Sequence, residues 1–181
     1  MNLNLRHATP ADLECVMALE TAGFPPGIVE EAAVFAQRIT TFPEGFLLAG
    51  SAGKPPCGYF CTEIWSGWDL SNPARFDLGH DITNWLDRHG EILYLASMTI
   101  APQQRGTGFG RALFRAGLKQ MSQSFPQLRE AVLIVNKHWP QARKIYDSEG
   151  FCEVARLPAF FRPDDDLAGD AIVMSAPLRS R

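Results

Sequence analysis

Apolar positions recur along the chain with two periods, and their alternation predicts the order of elements. Leu3–Arg6 reads as a short first strand. Thr9-Pro10-Ala11-Asp12 marks a helix start, with a threonine able to cap and a proline suited to the first helical position. Leu13, Val16, Met17 and Leu19–Glu20 continue at helical spacing until Phe24-Pro25-Pro26-Gly27 breaks the helix. A second helix is predicted over Val29–Thr40, with Val34, Phe35 and Ile39 on its apolar side. After the turn at Phe42-Pro43-Glu44-Gly45, Phe46–Ala49 and Cys57–Trp65 read as strands joined through Gly50–Pro56.

Ser66–Gly90 is long, polar and rich in aromatics, the kind of insertion that is functional or disordered in a small domain. Ile92–Ile100 is a strongly apolar strand running into Pro102 and a glycine-rich turn. Phe109–Met121 is predicted helical, with Leu113, Phe114, Gly117, Leu118 and Met121 facing inward. Ala131–Val135 is a buried strand. Pro140–Glu149 is a helix with proline in its first turn and Gly150 past its end. Phe151–Ala155 and Ala171–Met174 complete the strands. The order predicts an α/β (α+β) protein, one sheet covered by helices.

Composition narrows this picture. The 181 residues suffice for one domain with one sizeable core, and 46% hydrophobic with 20% charged residues is ordinary for a globular protein. The net charge of −3 and the lack of a basic stripe argue against nucleic acid as a partner. The N-terminus lacks a signal-peptide core, and no apolar run reaches the roughly 18 residues that span a bilayer. The four cysteines form no framework, so a cytoplasmic protein with reduced thiols is expected. Cys57 and Cys61 are expected to face one side of a strand. The four histidines lack metal-ligand spacing, so no metal is expected.

The chemistry concentrates at Arg105-Gly106-Thr107-Gly108-Phe109-Gly110-Arg111, between a strand and a helix. Glycines let the backbone approach a ligand, and a helix N-terminus presents unpaired N–H groups. Together they suit a diphosphate, and Arg105 and Arg111 can add charge-assisted contacts. The loop lacks the GK[ST] ending of a P-loop. Its glycines at 106, 108 and 110 do not fit GxGxxG, which disfavours a dinucleotide-binding oxidoreductase.

Two motifs carry a resemblance. Arg105-x-x-Gly108-x-Gly110, preceded by Met98-Thr99-Ile100-Ala101-Pro102, resembles the coenzyme A motif of the GNAT superfamily of N-acetyltransferases. Asn136, followed by Ala142-x-x-x-Tyr146-x-x-x-Gly150-Phe151, resembles that superfamily's next motif. The pattern is most similar to the arylalkylamine (serotonin-type) enzymes and their bacterial relatives, through Glu20 with Phe24 ahead of Pro25, Arg38, Pro43-Glu44-Gly45-Phe46 and Ile64-Trp65.

The resemblance implies a single domain over residues 1–181, with a mixed, mostly antiparallel sheet of about seven strands and about four helices. A strand pair would splay at the cofactor site. It implies acetyl-CoA as donor, a small-molecule primary amine as acceptor and direct transfer. Met98, Thr99 and Ile100 would meet the pantetheine arm, and a strand N–H near Met98 or Thr99 would polarise the thioester. Arg105, Gly106, Thr107, Gly108, Phe109, Gly110 and Arg111 would hold the pyrophosphate, and Asn136 would meet the arm. Tyr146 would protonate the leaving thiolate. Phe24, Trp65 and Phe160 would border the acceptor, with Trp68, Trp85, Phe161 and Asp164-Asp165-Asp166 nearby.

An amine with a pKa near 10 is mostly protonated at neutral pH, and freeing its lone pair costs roughly 4 kcal/mol. A base or water chain is therefore expected. Where the serotonin-type enzymes carry two histidines, this chain has Tyr94 and Ala96. Tyr94 and Glu91 are the leading alternatives, with Glu63, His80 and His89 also available. Acetylation of a protein lysine or N-terminus, and a non-catalytic acetyl-CoA-binding module, stay open, as does a homodimer.

Overall fold

A computed structural model describes residues 3–51, 53–164 and 168–178. The strands are β1 (Asn4–His7), β2 (Phe46–Gly50), β3 (Gly58–Trp65), β4 (Ile92–Ile100), β5 (Glu130–Asn136), β6 (Cys152–Phe161) and β7 (Gly169–Pro177). The helices are α1 (Leu13–Gly23), α2 (Ala32–Thr41), α3 (Phe109–Ser124) and α4 (Pro140–Ser148). The seven strands form one open sheet in the order β1-β2-β3-β4-β5-β7-β6. Every neighbouring pair is antiparallel except β4 and β5. That parallel pair needs a crossover, which α3 supplies.

Each face of the sheet has its own core. On the α3/α4 face, Phe60, Ile64, Leu93, Leu95, Leu133 and Val135 pack against Leu113, Phe114, Met121, Tyr146 and Phe151. Gly117 lets α3 sit close, because a Cβ there would lie 2.6 Å from the Phe60 ring. On the opposite face, Tyr59 and Cys61 meet Val16, Leu19, Phe35 and Ile39 of α1 and α2. Farther along, Trp65, Tyr94, Val132 and Val173 are covered by Phe76 of the insertion. Cys57 packs toward α3 while Cys61 packs under α1 and α2, so the two do not share a face. Cys57 lies ahead of β3, where the regular alternation has not yet begun.

Three boundaries depart from the expected ones. Helix α2 begins at Ala32 rather than Val29, because Glu31 is extended and the Glu30 N–H bonds the Glu20 carboxylate at 3.1 Å. The last two strands run longer, because β6 and β7 pair from Cys152↔Ser175 to Phe161↔Gly169. The insertion forms short 3₁₀ turns at Pro73–Phe76 and Ile82–Asn84, pinned by buried Phe76 and Ile82. Among the described residues no helix is long and apolar enough to cross a membrane.

Candidate active site

The sheet opens where β4 and β5 part. Their parallel pairing runs only from Ile92↔Glu130 to Leu95↔Leu133. Beyond it β4 stays with β3, while β5 stays with β7 as far as Asn136↔Ala171. At the same place β4 bulges: Thr62 pairs Leu95 and Cys61 pairs Ser97, leaving Ala96 as the extra residue. Ala96, Ser97 and Met98 are half-buried, whereas Leu93, Tyr94 and Leu95 before them are buried. A V-shaped opening thus exposes the edge of β4.

The wide end of the V leads to the glycine turn. Gly106 and Gly108 hold φ of 75° and 83°, and a Cβ on either would meet nothing within 4 Å. Among the described residues the N–H groups of Gly106, Gly108, Gly110 and Arg111 have no hydrogen-bond partner. Phe109 N–H bonds the Thr107 hydroxyl at 3.3 Å, and that hydroxyl donates to the Gln104 carbonyl at 2.8 Å. Four free donors, left-handed glycines and open space above them make a cradle for a phosphate at the start of α3. Arg105 Nη2 reaches the Ala22 carbonyl at 3.3 Å, tying the loop to α1. Arg111 Nε pairs with Glu149 at 2.8 Å, and Arg115 shares that carboxylate at 2.9 Å.

The strand between the V and the cradle divides its side chains. Met98 and Ile100 pack toward α3, while Thr99 turns to α1, against Gly23. Asn136 is buried at the end of β5. Its Oδ1 accepts from His138 N–H at 3.0 Å, and a Cβ on Gly169 would lie 2.5 Å from it. Its side chain is therefore engaged in closing the turn after β5. Tyr146 lies on the α4 face against Phe114 and Phe151. Burial pushes its phenol up to about 12, and among the described residues its hydroxyl has no partner. The proton is retained at neutral pH, so the hydroxyl is a donor.

The expected acceptor-side residues separate into two groups. Phe24 and Phe160 are half-buried, with Phe24 against Trp139 at 5.4 Å and Phe160 against Phe161 at 5.0 Å. With Ile28, Ile134, Leu157 and Ala171 they form an apolar patch beside β5. Trp65 is fully buried and stacks on Tyr94 at 4.0 Å, so it supports the wall from inside the core. Tyr94 is 1% exposed, and burial raises its phenol above the usual range. It offers the V neither a surface nor a base. Glu91 precedes β4, roughly 16 Å from the bulge at about 3.3 Å per residue, and is exposed. Asp165 and Asp166 lie outside the described residues.

Behind the wall lies a buried ionic cluster. Arg38 Nη1 bonds Glu30 at 2.8 Å, and its Nε, without a hydrogen bond, lies 3.6 Å from Glu63. Glu63 also accepts from Trp65 Nε1 at 3.0 Å and meets His80 Nε2 at 2.8 Å. His80 Nδ1 donates to the Asp77 carbonyl at 2.9 Å, so a single proton bridges Nε2 and the Glu63 carboxylate. Glu30 takes the Gly79 N–H at 2.6 Å. The cluster fastens the insertion to the sheet.

A second buried polar chain went unassigned in the sequence. Glu20 accepts a short hydrogen bond from the Tyr59 hydroxyl, which meets Ser97 Oγ at 2.8 Å. Burial raises the Glu20 carboxyl to about 7, with the Tyr59 bond opposing. The readable signal was a glutamate within the apolar spacing of α1, four residues after Val16. Arg38 in α2, between Phe35 and Ile39, is the same kind of signal.

The chain matches no protein-family sequence profile and no curated protein. Solved structures do resemble it. The loading GNATL domain of CurA from Lyngbya majuscula aligns at TM-score 0.82 with 17% identity, covering 100% of both chains. The GphF GNAT-like decarboxylase in complex with isobutyryl-CoA aligns at 0.79 with 20% identity, covering 97% of this chain and 100% of that one. The ribosomal-protein-S18-alanine N-acetyltransferase from Escherichia coli aligns at 0.72 with 16% identity, covering 99% and 96%. The chain therefore has the GNAT fold.

Proposed function

We propose that this single domain is an acetyl-CoA-dependent N-acetyltransferase acting on a primary amine with an apolar, small or arylalkyl body. The observation that carries this reading is the V at Ala96–Met98 leading into a cradle of four unpaired N–H groups. The residues fit coenzyme A: the diphosphate takes the N–H groups of Gly106, Gly108, Gly110 and Arg111, and the pantetheine arm lies along Met98–Ile100. Thr107 and Phe109 shape the loop, Arg105 braces it against α1, and Asn136 braces the far wall.

The thioester meets the edge of β4 after the bulge, where a strand N–H polarises its carbonyl. The amine enters from the side of Phe24 and Phe160, whose aromatic faces suit an apolar body. Its nitrogen bonds the carbonyl carbon and sheds one N–H proton, ultimately to solvent, the C–S bond breaks, and Tyr146, reprotonated afterwards by solvent, supplies a proton to the departing sulfur. The reading includes a cytoplasmic location.

The test is acetyl-CoA binding by calorimetry, followed by release of free thiol with phenethylamine, spermidine and a lysine peptide. Binding with thiol release dependent on one of these amines is the expected result. Binding with no release from any amine would overturn it.

A second reading, decarboxylation of a 2-carboxyacyl-CoA at the same thioester, draws on the two neighbours at TM-score 0.82 and 0.79, one of them named a decarboxylase. Carbon dioxide release from malonyl-CoA without any amine separates the two.

A further inference from the structure

Among the described residues, neither leading candidate base reaches the amine. Tyr94 is packed in the core, and Glu91 stands at the far end of β4. One hydrogen-bonded chain does start at the V and end on a carboxylate. Ser97 is the residue next to the bulge, half-buried at the opening. Its Oγ lies 2.8 Å from Tyr59 Oη, and Tyr59 is fully buried and bonded to Glu20 Oε2.

The direction of the chain follows from its end. An ionised carboxylate only accepts, so Tyr59 donates to Glu20. Ser97 then donates to Tyr59, which leaves the remaining lone pairs of Ser97 free to accept. Resting on the amine-transfer reading, we propose that Ser97, Tyr59 and Glu20 form a proton relay that carries the amine's proton out of the V and into the core.

The balance is simple. The neutral amine bonds the thioester carbon, and its nitrogen gains acidity as that bond forms. One N–H proton passes to Ser97 Oγ, the Ser97 proton to Tyr59 Oη, and the Tyr59 proton to Glu20 Oε2. The C–S bond breaks and the sulfur takes its proton from Tyr146. Solvent resets both ends after product leaves. Ser97 is the catalytic residue of the relay, since it alone meets the nitrogen, and Tyr59 and Glu20 act through it.

The surroundings keep Glu20 poised between its two states. The groups packed around it are Tyr59 and Cys61 of β3, Glu30 of the α1–α2 connection and Arg38 of α2. Burial and the Glu30 charge favour the proton, while the Tyr59 bond, the Glu30 N–H and Arg38 favour the carboxylate. A base must be ionised to accept, so kcat/KM divided by the neutral fraction of the amine is expected to rise with pH through about 7.

The experiment compares the wild type with Glu20→Gln, Tyr59→Phe and Ser97→Ala, using phenethylamine as acceptor and calorimetric acetyl-CoA affinity as the check on folding. Glutamine is neutral and nearly isosteric with the protonated acid. Each variant is expected to lower kcat about 100-fold with acetyl-CoA affinity retained. Glu20→Gln is expected to remove the rise near pH 7. Wild-type turnover that survives Glu20→Gln with the same pH profile overturns the relay alone. Acetyl-CoA binding with no wild-type turnover of phenethylamine, spermidine or lysine peptide overturns the amine-transfer reading and the relay with it.

Discussion

Glu20→Gln also has a consequence that needs no substrate. In an unfolded chain a glutamate titrates near its ordinary value of 4.5, whereas burial holds Glu20 at about 7 in the fold. Between those values the folded chain keeps a proton that the unfolded chain has lost, so stability falls as pH rises through the window. That displacement corresponds to about 3 kcal/mol of stability, lost in full above pH 7. Glutamine carries no charge at any pH and cannot contribute this loss.

Urea denaturation of both proteins at pH 5, 6, 7 and 8 reads the difference. The variant is expected to gain about 2.5 kcal/mol relative to the wild type from the acid to the alkaline end of that series, the remainder falling below pH 5. Parallel curves would refute the reasoning, because they would mean that Glu20 ionises in the fold as it does in water.

Other perturbations test other parts. Gly108→Glu places a charged side chain at φ 83° inside the proposed phosphate cradle, and calorimetry should show acetyl-CoA binding lost; retained affinity would remove the cradle from the site. Gly117→Ala puts a methyl 2.6 Å from the Phe60 ring and should destabilise the chain by about 1–3 kcal/mol in urea. His80→Ala removes the closest hydrogen-bond partner of buried Glu63, and a loss of about 2 kcal/mol is expected; a loss under half that would show that Trp65 and Arg38 satisfy Glu63.

The fold was legible wherever one face of an element meets the core. The helix Phe109–Met121 was readable because burial on one side imposes a period, and the strands Cys57–Trp65 and Ile92–Ile100 as apolar runs, because helices cover both faces of the sheet. Ends were less legible. The start of α2 is decided by the Glu30 N–H reaching Glu20 ten residues earlier, which no local window contains. The glycine turn was legible because glycine, in open space at positive φ, has a local cause.

The exposure of the aromatic rings was legible only in part, because aromatic composition does not say which rings face out. Phe24 and Phe160 are half-buried, whereas Trp65 is stacked on Tyr94 by a strand pairing that sequence spacing cannot supply. Tyr94 stands out by matching a histidine position of the resembled family, and Glu91 by its place at the head of the central strand. One was removed by burial and the other by distance along that strand.

The sequence by itself determined the strand and helix order and the glycine turn, because periodicity and backbone freedom are properties of neighbouring residues. Only the tertiary structure decided where β4 leaves β5, that Ala96 is the bulge, and that Glu20, Tyr59 and Ser97 touch. Those three residues come from α1, β3 and β4, and stand 39 and 38 positions apart. A contact of that kind is set by how the helix packs on the sheet and by the register of two strands, which no single segment encodes.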